Sequence, residues 1–188
     1  MMVHQTLKYI RTLSVCLILS ISANHASAQN IKCEKEARAI KNFELLATPK
    51  PMGNVPFFNM KGETLSLESY KGKVVFLNHW AIWCAPCLRE MPSILRLSKN
   101  IDTQKITILP LSVDRSGVKK VHRFVIKKRW NEMVFFNDPK MKVARESDIQ
   151  TLPATQIIDK KGAEIGRLVG TYEWDAPEVI DLLNCLAQ

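Results

Sequence analysis

Two cysteines separated by two residues, Cys84 and Cys87, are the side chains best placed to do chemistry in this sequence. They follow an apolar run, Val74 to Trp80, and open a segment with helical spacing from Cys87 to Lys99. Such a run suits a strand buried on both faces, as in a parallel sheet. Cys84 then falls at the start of the helix, where unpaired backbone N–H groups and the positive end of the dipole favour an anion. That anion would be a thiolate, and a cysteine with a lowered pKa is a better nucleophile at neutral pH and a better leaving group. Cys87, about one turn further on, can close a disulfide with Cys84. Ala85-Pro86 suits the first turn, where proline's missing N–H costs no hydrogen bond. Two duller uses of the pair are a structural disulfide and half of a zinc site. Tetrahedral zinc needs four Cys or His ligands at paired spacings. There is no second C-x-x-C, and two of the four histidines, His4 and His25, lie near the N-terminus. No metal is expected, and a redox role is.

The elements that must hold this pair can be read on either side of it. Pro56–Met60 and Thr64–Leu67, around Lys61-Gly62, form a hairpin. Ile106–Val113 is a second buried run, and strand–helix–strand implies a right-handed crossover to a parallel neighbour. Gly117–Arg129 has Val118, Val121, Phe124 and Val125 on one helical stripe. A short strand at Val134–Phe136 and a short helix at Met141–Glu146 follow. Thr155–Asp159 and Glu164–Val169, around Lys160-Lys161-Gly162, form a second hairpin. Asp175 reads as the cap of a terminal helix containing Cys185. Ahead of these, Ile31–Leu46 suits a short amphipathic helix, and Thr48-Pro49-Lys50-Pro51 a link. His79, Trp80, Trp130, Tyr172 and Trp174 read as packing residues.

The chain has 188 residues and a formal charge of +9. Lys8 and Arg11 precede an apolar stretch from Thr12 to Ala23, and Ala26-Ser27-Ala28 offers a cleavage site. Residues 1–28 therefore read as a secretory signal, or as an uncleaved anchor, although the stretch is short for the roughly twenty residues that span a bilayer. Residues 29–52 would be the N-terminal helix and linker, and 53–188 the single domain. Without the signal the charge is +7, spread along the chain, with small clusters at Lys119-Lys120 and Lys127-Lys128-Arg129. Those clusters fit a solvated helix face, and no nucleic-acid signature accompanies them. Export admits disulfides, and four cysteines remain: Cys33, Cys84, Cys87 and Cys185. With Cys84 and Cys87 paired by spacing, Cys33 and Cys185 are either bridged, which we expect, or two separate buried thiols.

The residues from Leu77 to Pro92, with Trp83-Cys84-Ala85-Pro86-Cys87 at their centre, resemble the active site of the thioredoxin superfamily. The longer stretch and Thr151-Leu152-Pro153-Ala154-Thr155 are similar to the TlpA/ResA/CcmG branch of exported thiol-disulfide reductases. The likeness runs from about Pro56 to the C-terminus. It implies an α/β thioredoxin-like three-layer sandwich with a central mixed sheet, carrying an added N-terminal helix and β-hairpin.

The resemblance also implies roles. Cys84 would attack and Cys87 resolve. Pro153 would be cis and face the two sulfurs, with Leu152 offering backbone to an extended substrate segment and keeping metal ions away. Trp83 would stand beside the cysteines as a docking surface, with Pro86 inside the motif. Asn78 occupies the position where cytosolic thioredoxins keep a buried proton-accepting Asp, and an amide cannot accept that proton. Glu90, three residues past Cys87 on the same helix face, is the carboxylate candidate; a plain surface glutamate is the alternative. Relatives bridge the N-terminal helix to the strand after the late glycine turn, but the matching position is Ala163. The implied function is periplasmic, either free or anchored to the inner membrane. It would reduce disulfides of exported proteins such as apocytochrome c, copper-site proteins of cytochrome oxidase and their chaperones. A membrane donor of DsbD/CcdA type would regenerate it; no cofactor is expected, and a monomer is. A disulfide-forming oxidase and a copper-binding chaperone are the rivals, the latter weakened because no Met or His flanks the pair at ligand spacing.

Overall fold

The computed structural model describes residues 33–188; the expected signal segment, 1–28, lies outside them. The core is built on β4 (Val74–Trp80), all seven of whose residues are buried. Successive side chains of a strand point to opposite faces. Val74, Phe76 and Trp80 accordingly enter one apolar cluster, and Val75 and Leu77 another. Helix α2 (Ala85–Lys99) leaves from the end of β4 and covers the first face with Met91, Ile94 and Leu97. β5 (Ile106–Ser112) returns parallel to β4, in register from Val74↔Ile106 to Trp80↔Ser112.

Helix α3 (Val118–Lys127) buries Val121 and Val125, and the two-residue β6 (Phe136–Asn137) then pairs parallel with β5. β6 starts two residues later than the expected 134–136, and Val134 is exposed. The helix α4 (Lys142–Glu146) leads to β7 (Ala154–Ile158), antiparallel to β4, and β8 (Ala163–Val169), antiparallel to β7. The hairpin of β2 (Phe57–Asn59) and β3 (Thr64–Leu65) extends the far edge through β6. With β1 (Glu44–Pro51) at the other edge, the whole is a mixed eight-stranded sheet in the order β1-β8-β7-β4-β5-β6-β2-β3, the central mixed sheet expected from the sequence.

Two expectations are corrected near the ends. The N-terminal helix, α1, spans only Glu34–Ala39, and residues expected to finish it and link onward form β1 (Glu44–Pro51), antiparallel to β8. The helix ends at Ile40, whose backbone is extended, and Asn42 then turns the chain with a left-handed φ of 64°. Pro49 and Pro51 are compatible with β1 because it is the sheet's edge, where a missing N–H disrupts no inner ladder. Gly166 of β8 makes this pairing possible, since a Cβ there would lie 2.6 Å from the Phe43 ring. The terminal helix, α5 (Pro177–Leu186), is capped at Ala176 with no side-chain hydrogen bond; Asp175 instead pairs with Arg96 of α2. A disulfide joins Cys33, at the start of α1, to Cys185 in α5.

Candidate active site

Cys84 occupies the N-cap position of α2, with extended backbone (φ −87°, ψ 95°), and its Sγ accepts the backbone N–H of Cys87 at 3.3 Å. Pro86 lies in the first turn of the helix. The two sulfurs are joined as a disulfide, and only Cys84 is in contact with solvent, at 5% exposure against 0% for Cys87. A thiolate at Cys84 would meet a helix N-terminus and at least one N–H donor. The neighbouring Trp83 is 69% exposed, a large apolar side chain kept in water. The peptide bond Leu152–Pro153 is cis. Because His79 pairs with Ala154, Pro153 stands at the end of β4 from which the chain departs toward Cys84. The Pro153 carbonyl accepts from Gly170 N–H at 2.9 Å, which ties the loop to the end of β8. Leu152 is half-buried and packs on the same apolar cluster as the two cysteines.

Glu90 is not a surface residue. One turn past Cys87 on α2, it is 3% exposed and receives three hydrogen bonds. Asn78 Nδ2 donates to Oε1 at 2.9 Å, and Trp174 Nε1 and the Tyr172 backbone N–H donate to Oε2 at 3.0 and 3.4 Å. Burial nevertheless outweighs these donors and pushes the carboxyl up to about 7. Ser93 reinforces the cradle: its hydroxyl donates to the Glu90 carbonyl and accepts from Trp174 N–H. At the surface, Arg96 binds Glu173 and Asp175 on either side of Trp174, pinning that loop to α2.

Several of these partners escaped the sequence reading. Trp174 and Tyr172, read as packing residues, supply both donors to Glu90 Oε2, and the one available signal was that a buried indole N–H needs an acceptor. Asn78, dismissed as a proton acceptor, is instead a donor that also bonds Thr155 Oγ1 at 3.0 Å. Asp114 was overlooked altogether. Buried just beyond β5, it accepts Ile82 N–H at 2.9 Å and the Ser112 hydroxyl at 2.7 Å, which fixes the turn between β4 and Cys84. His79 lies on the opposite sheet face from Asn78, as alternation requires, with Nε2 against Gln156 Oε1 at 2.8 Å. Burial lowers its pKa to about 4. Among the described residues, no cluster of three His, Cys, Asp or Glu side chains is arranged to hold a metal.

A model of the AhpC/TSA family matches residues 37–163. The thiol-disulfide oxidoreductase ResA of Bacillus subtilis (strain 168) is 33% identical over 110 residues, which are 58% of this chain and 60% of that protein. ResA of Bacillus thuringiensis (strain Al Hakam) is 28% identical over 156 residues, 83% of this chain and 84% of its own length. The thioredoxin-like protein YneN of Bacillus subtilis is 32% identical over 120 residues, 62% of this chain and 69% of that one. Among solved structures, a putative thiol:disulfide interchange protein DsbE from Chlorobium tepidum matches with a TM-score of 0.65 at 19% identity. The match covers 76% of this chain and 99% of that one. The fold is therefore thioredoxin-like, as the sequence implied.

Proposed function

Since the chain belongs to the AhpC/TSA family and is, like its ResA relatives, a thiol-disulfide oxidoreductase, we propose that it works as a reductant of disulfides in exported proteins. In that reaction the Cys84 thiolate attacks one sulfur of a substrate disulfide. A Cys84–substrate S–S bond forms as the substrate's own S–S bond breaks, and the expelled sulfur takes a proton from water. Cys87 then gives its thiol proton to the Glu90 carboxylate and attacks Cys84 Sγ. The mixed disulfide breaks, the second substrate sulfur leaves and is protonated, and the Cys84–Cys87 disulfide closes. Two electrons have passed to the substrate, whose two sulfurs end as thiols.

The observation that carries this reading is the buried carboxyl of Glu90 one turn beyond Cys87, held near neutrality at about 7. A group so poised can take and return a proton at working pH. Its negative charge also disfavours thiolates nearby, which favours the disulfide form of this protein and so a reducing potential. We assign Trp83, Pro86, Leu152 and the cis Pro153 to the surface on which an extended substrate segment would lie. A second disulfide, Cys33–Cys185, suits an oxidising compartment. We place the protein in the periplasm as a monomer, free or anchored through residues 1–28. Its electrons would come from a membrane donor of DsbD/CcdA type. Apocytochrome c, copper-site proteins of cytochrome oxidase and their chaperones are the substrates we favour.

Cys87→Ser tests the reading, because it removes the resolving thiol and stalls the mixed disulfide. Expressed in its own cells, this variant should accumulate covalent, reductant-sensitive adducts through Cys84 to exported proteins that carry cysteine pairs. No adducts, or adducts unaffected by Cys84→Ser, would refute it.

A further inference from the structure

We propose that Asn78 is a positioning residue for proton transfer, turning its side-chain amide end for end to place and hold the proton on Glu90 Oε1. This deepens the reading of Glu90 as proton acceptor and depends on it for its functional consequence.

The Glu90 cradle is unbalanced. Every group bonded to the carboxyl is a donor: Asn78 Nδ2, Trp174 Nε1 and Tyr172 N–H. That set satisfies a carboxylate. A protonated Glu90 carries an O–H donor and needs an acceptor, which neither the indole nor the backbone N–H can become. Asn78 can. Its Nδ2 serves both Glu90 Oε1 and Thr155 Oγ1, while its Oδ1 is buried with no hydrogen-bond partner. An unpartnered buried carbonyl is costly, on the order of 1–3 kcal/mol.

A half-turn about the last side-chain torsion exchanges Oδ1 and Nδ2. Oδ1 then accepts from the Glu90 O–H and from the Thr155 hydroxyl, whose hydrogen is free to rotate from one role to the other. Both hydrogen bonds survive with their direction reversed, and the orphaned position passes from Oδ1 to Nδ2. The amide thus leaves one unmet group in each state, Oδ1 when it donates to Glu90 and Nδ2 when it accepts. A fixed donor at position 78 would pull the Glu90 midpoint down, and a fixed acceptor would push it up. A reversible partner serves the buried carboxyl both when it takes a proton and when it releases it.

The surroundings leave this exchange to Asn78. On α2 the other titratable neighbour is Cys87, and Ser93 is committed to the Glu90 carbonyl and Trp174 N–H. β4 contributes Asn78 and β7 contributes Thr155. The loop ahead of α5 contributes Tyr172 and Trp174. The charged residues around that loop, Arg96, Glu173 and Asp175, pair with one another at the surface, and Glu178 accepts from the Tyr172 hydroxyl. Thr155 lies two residues past Pro153, so the reversed bond touches the strand that follows the cis proline.

The test is nuclear magnetic resonance on the isotope-labelled, oxidised chain, titrated from pH 4.5 to 9. Glu90 Cδ reports the proton, and cross-relaxation from the Asn78 side-chain amide protons to the Thr155 side chain reports the amide. We expect those contacts above the Glu90 midpoint and their loss below it. In Glu90→Gln, the introduced amide can accept from Trp174 and Tyr172 and donate to Asn78 Oδ1, so the low-pH pattern should persist at every pH. Asn78→Asp, similar in shape but only accepting when ionised, should raise the Glu90 midpoint by at least one unit. An Asn78 pattern unchanged across the midpoint, or the high-pH pattern in Glu90→Gln, would overturn the proposal. An amide that turns while the rate of Cys87 attack ignores the midpoint would remove Glu90 as proton acceptor and overturn the positioning role, leaving only the coupling between the Asn78 amide and the Glu90 proton.

Discussion

Replacing Glu90 with glutamine removes a charge from a site that is 3% exposed while keeping the size of the side chain, so its effect on stability can be worked out in advance. The carboxyl titrates near 7 in the folded protein against an ordinary value of 4.5. Between those two values the folded state binds the proton more tightly than the unfolded state does. Stability contributed by the protonated form is therefore complete below about 4.5, falls as pH rises, and is lost above 7. The loss is on the order of 3 kcal/mol, at about 1.4 kcal/mol per unit. His79 runs the other way. Its pKa is lowered to about 4 from 6.5, so the stability it contributes is present above 6.5 and lost as pH falls toward 4. The two slopes oppose each other over nearly the same window, and the wild-type profile alone will look flat. The informative quantity is the difference between Glu90→Gln and wild type in urea denaturation of the oxidised protein. That difference should move by roughly 3 kcal/mol in favour of the variant between pH 4.5 and 8. A difference independent of pH would show that Glu90 does not titrate in this window and would undo the proton-acceptor argument.

Trp174→Phe removes the indole donor to Glu90 Oε2; a hydrogen bond to a charged group is worth about 1.5–3 kcal/mol, so the midpoint in the pH–rate profile of thiol-disulfide exchange should rise by about one to two units. Cys33→Ser opens a bridge spanning 152 residues. On the chain-entropy account it should cost about 5 kcal/mol in urea denaturation, while exchange activity persists wherever the variant remains folded. Gly166→Ala forces a Cβ against the Phe43 ring and the Glu44 carbonyl and should cost about 1–3 kcal/mol, read the same way. Trp83→Ala should leave stability within about 0.5 kcal/mol. It should lower kcat/KM for protein disulfides about tenfold, equivalent to about 1.4 kcal/mol, and spare small-molecule disulfides.

What the sequence made legible was mostly local. The run Val74–Trp80 suits a strand buried on both faces, which places Cys84 at a helix start; the structure has both. The resemblance extended that reading to the whole sheet. The misreadings arose where tertiary contacts decide. Nothing in Glu44–Pro51, with two prolines and a lysine, signals a strand, because its partner β8 lies more than a hundred residues away and the pairing depends on a bare glycine beside Phe43. Asp175 has the type and spacing of a cap, but Arg96 on α2 takes its carboxylate. The Glu90 cradle joins residues 78, 90, 172 and 174, and its donors include a backbone N–H, which carries no side-chain identity to read. Helix spacing alone could bring Glu90 near Cys87; it could not say that the carboxyl is buried.

The midpoint potential of the Cys84–Cys87 pair, measured at pH 7 against a glutathione or dithiothreitol buffer, bears most directly on the assignment as a reductant. The account predicts a value on the thioredoxin side of the range, near or below about −230 mV, with a slope against pH that changes at the Glu90 midpoint. A potential near the −120 mV of strong oxidants would mean that this protein makes disulfides in its partners and does not reduce them.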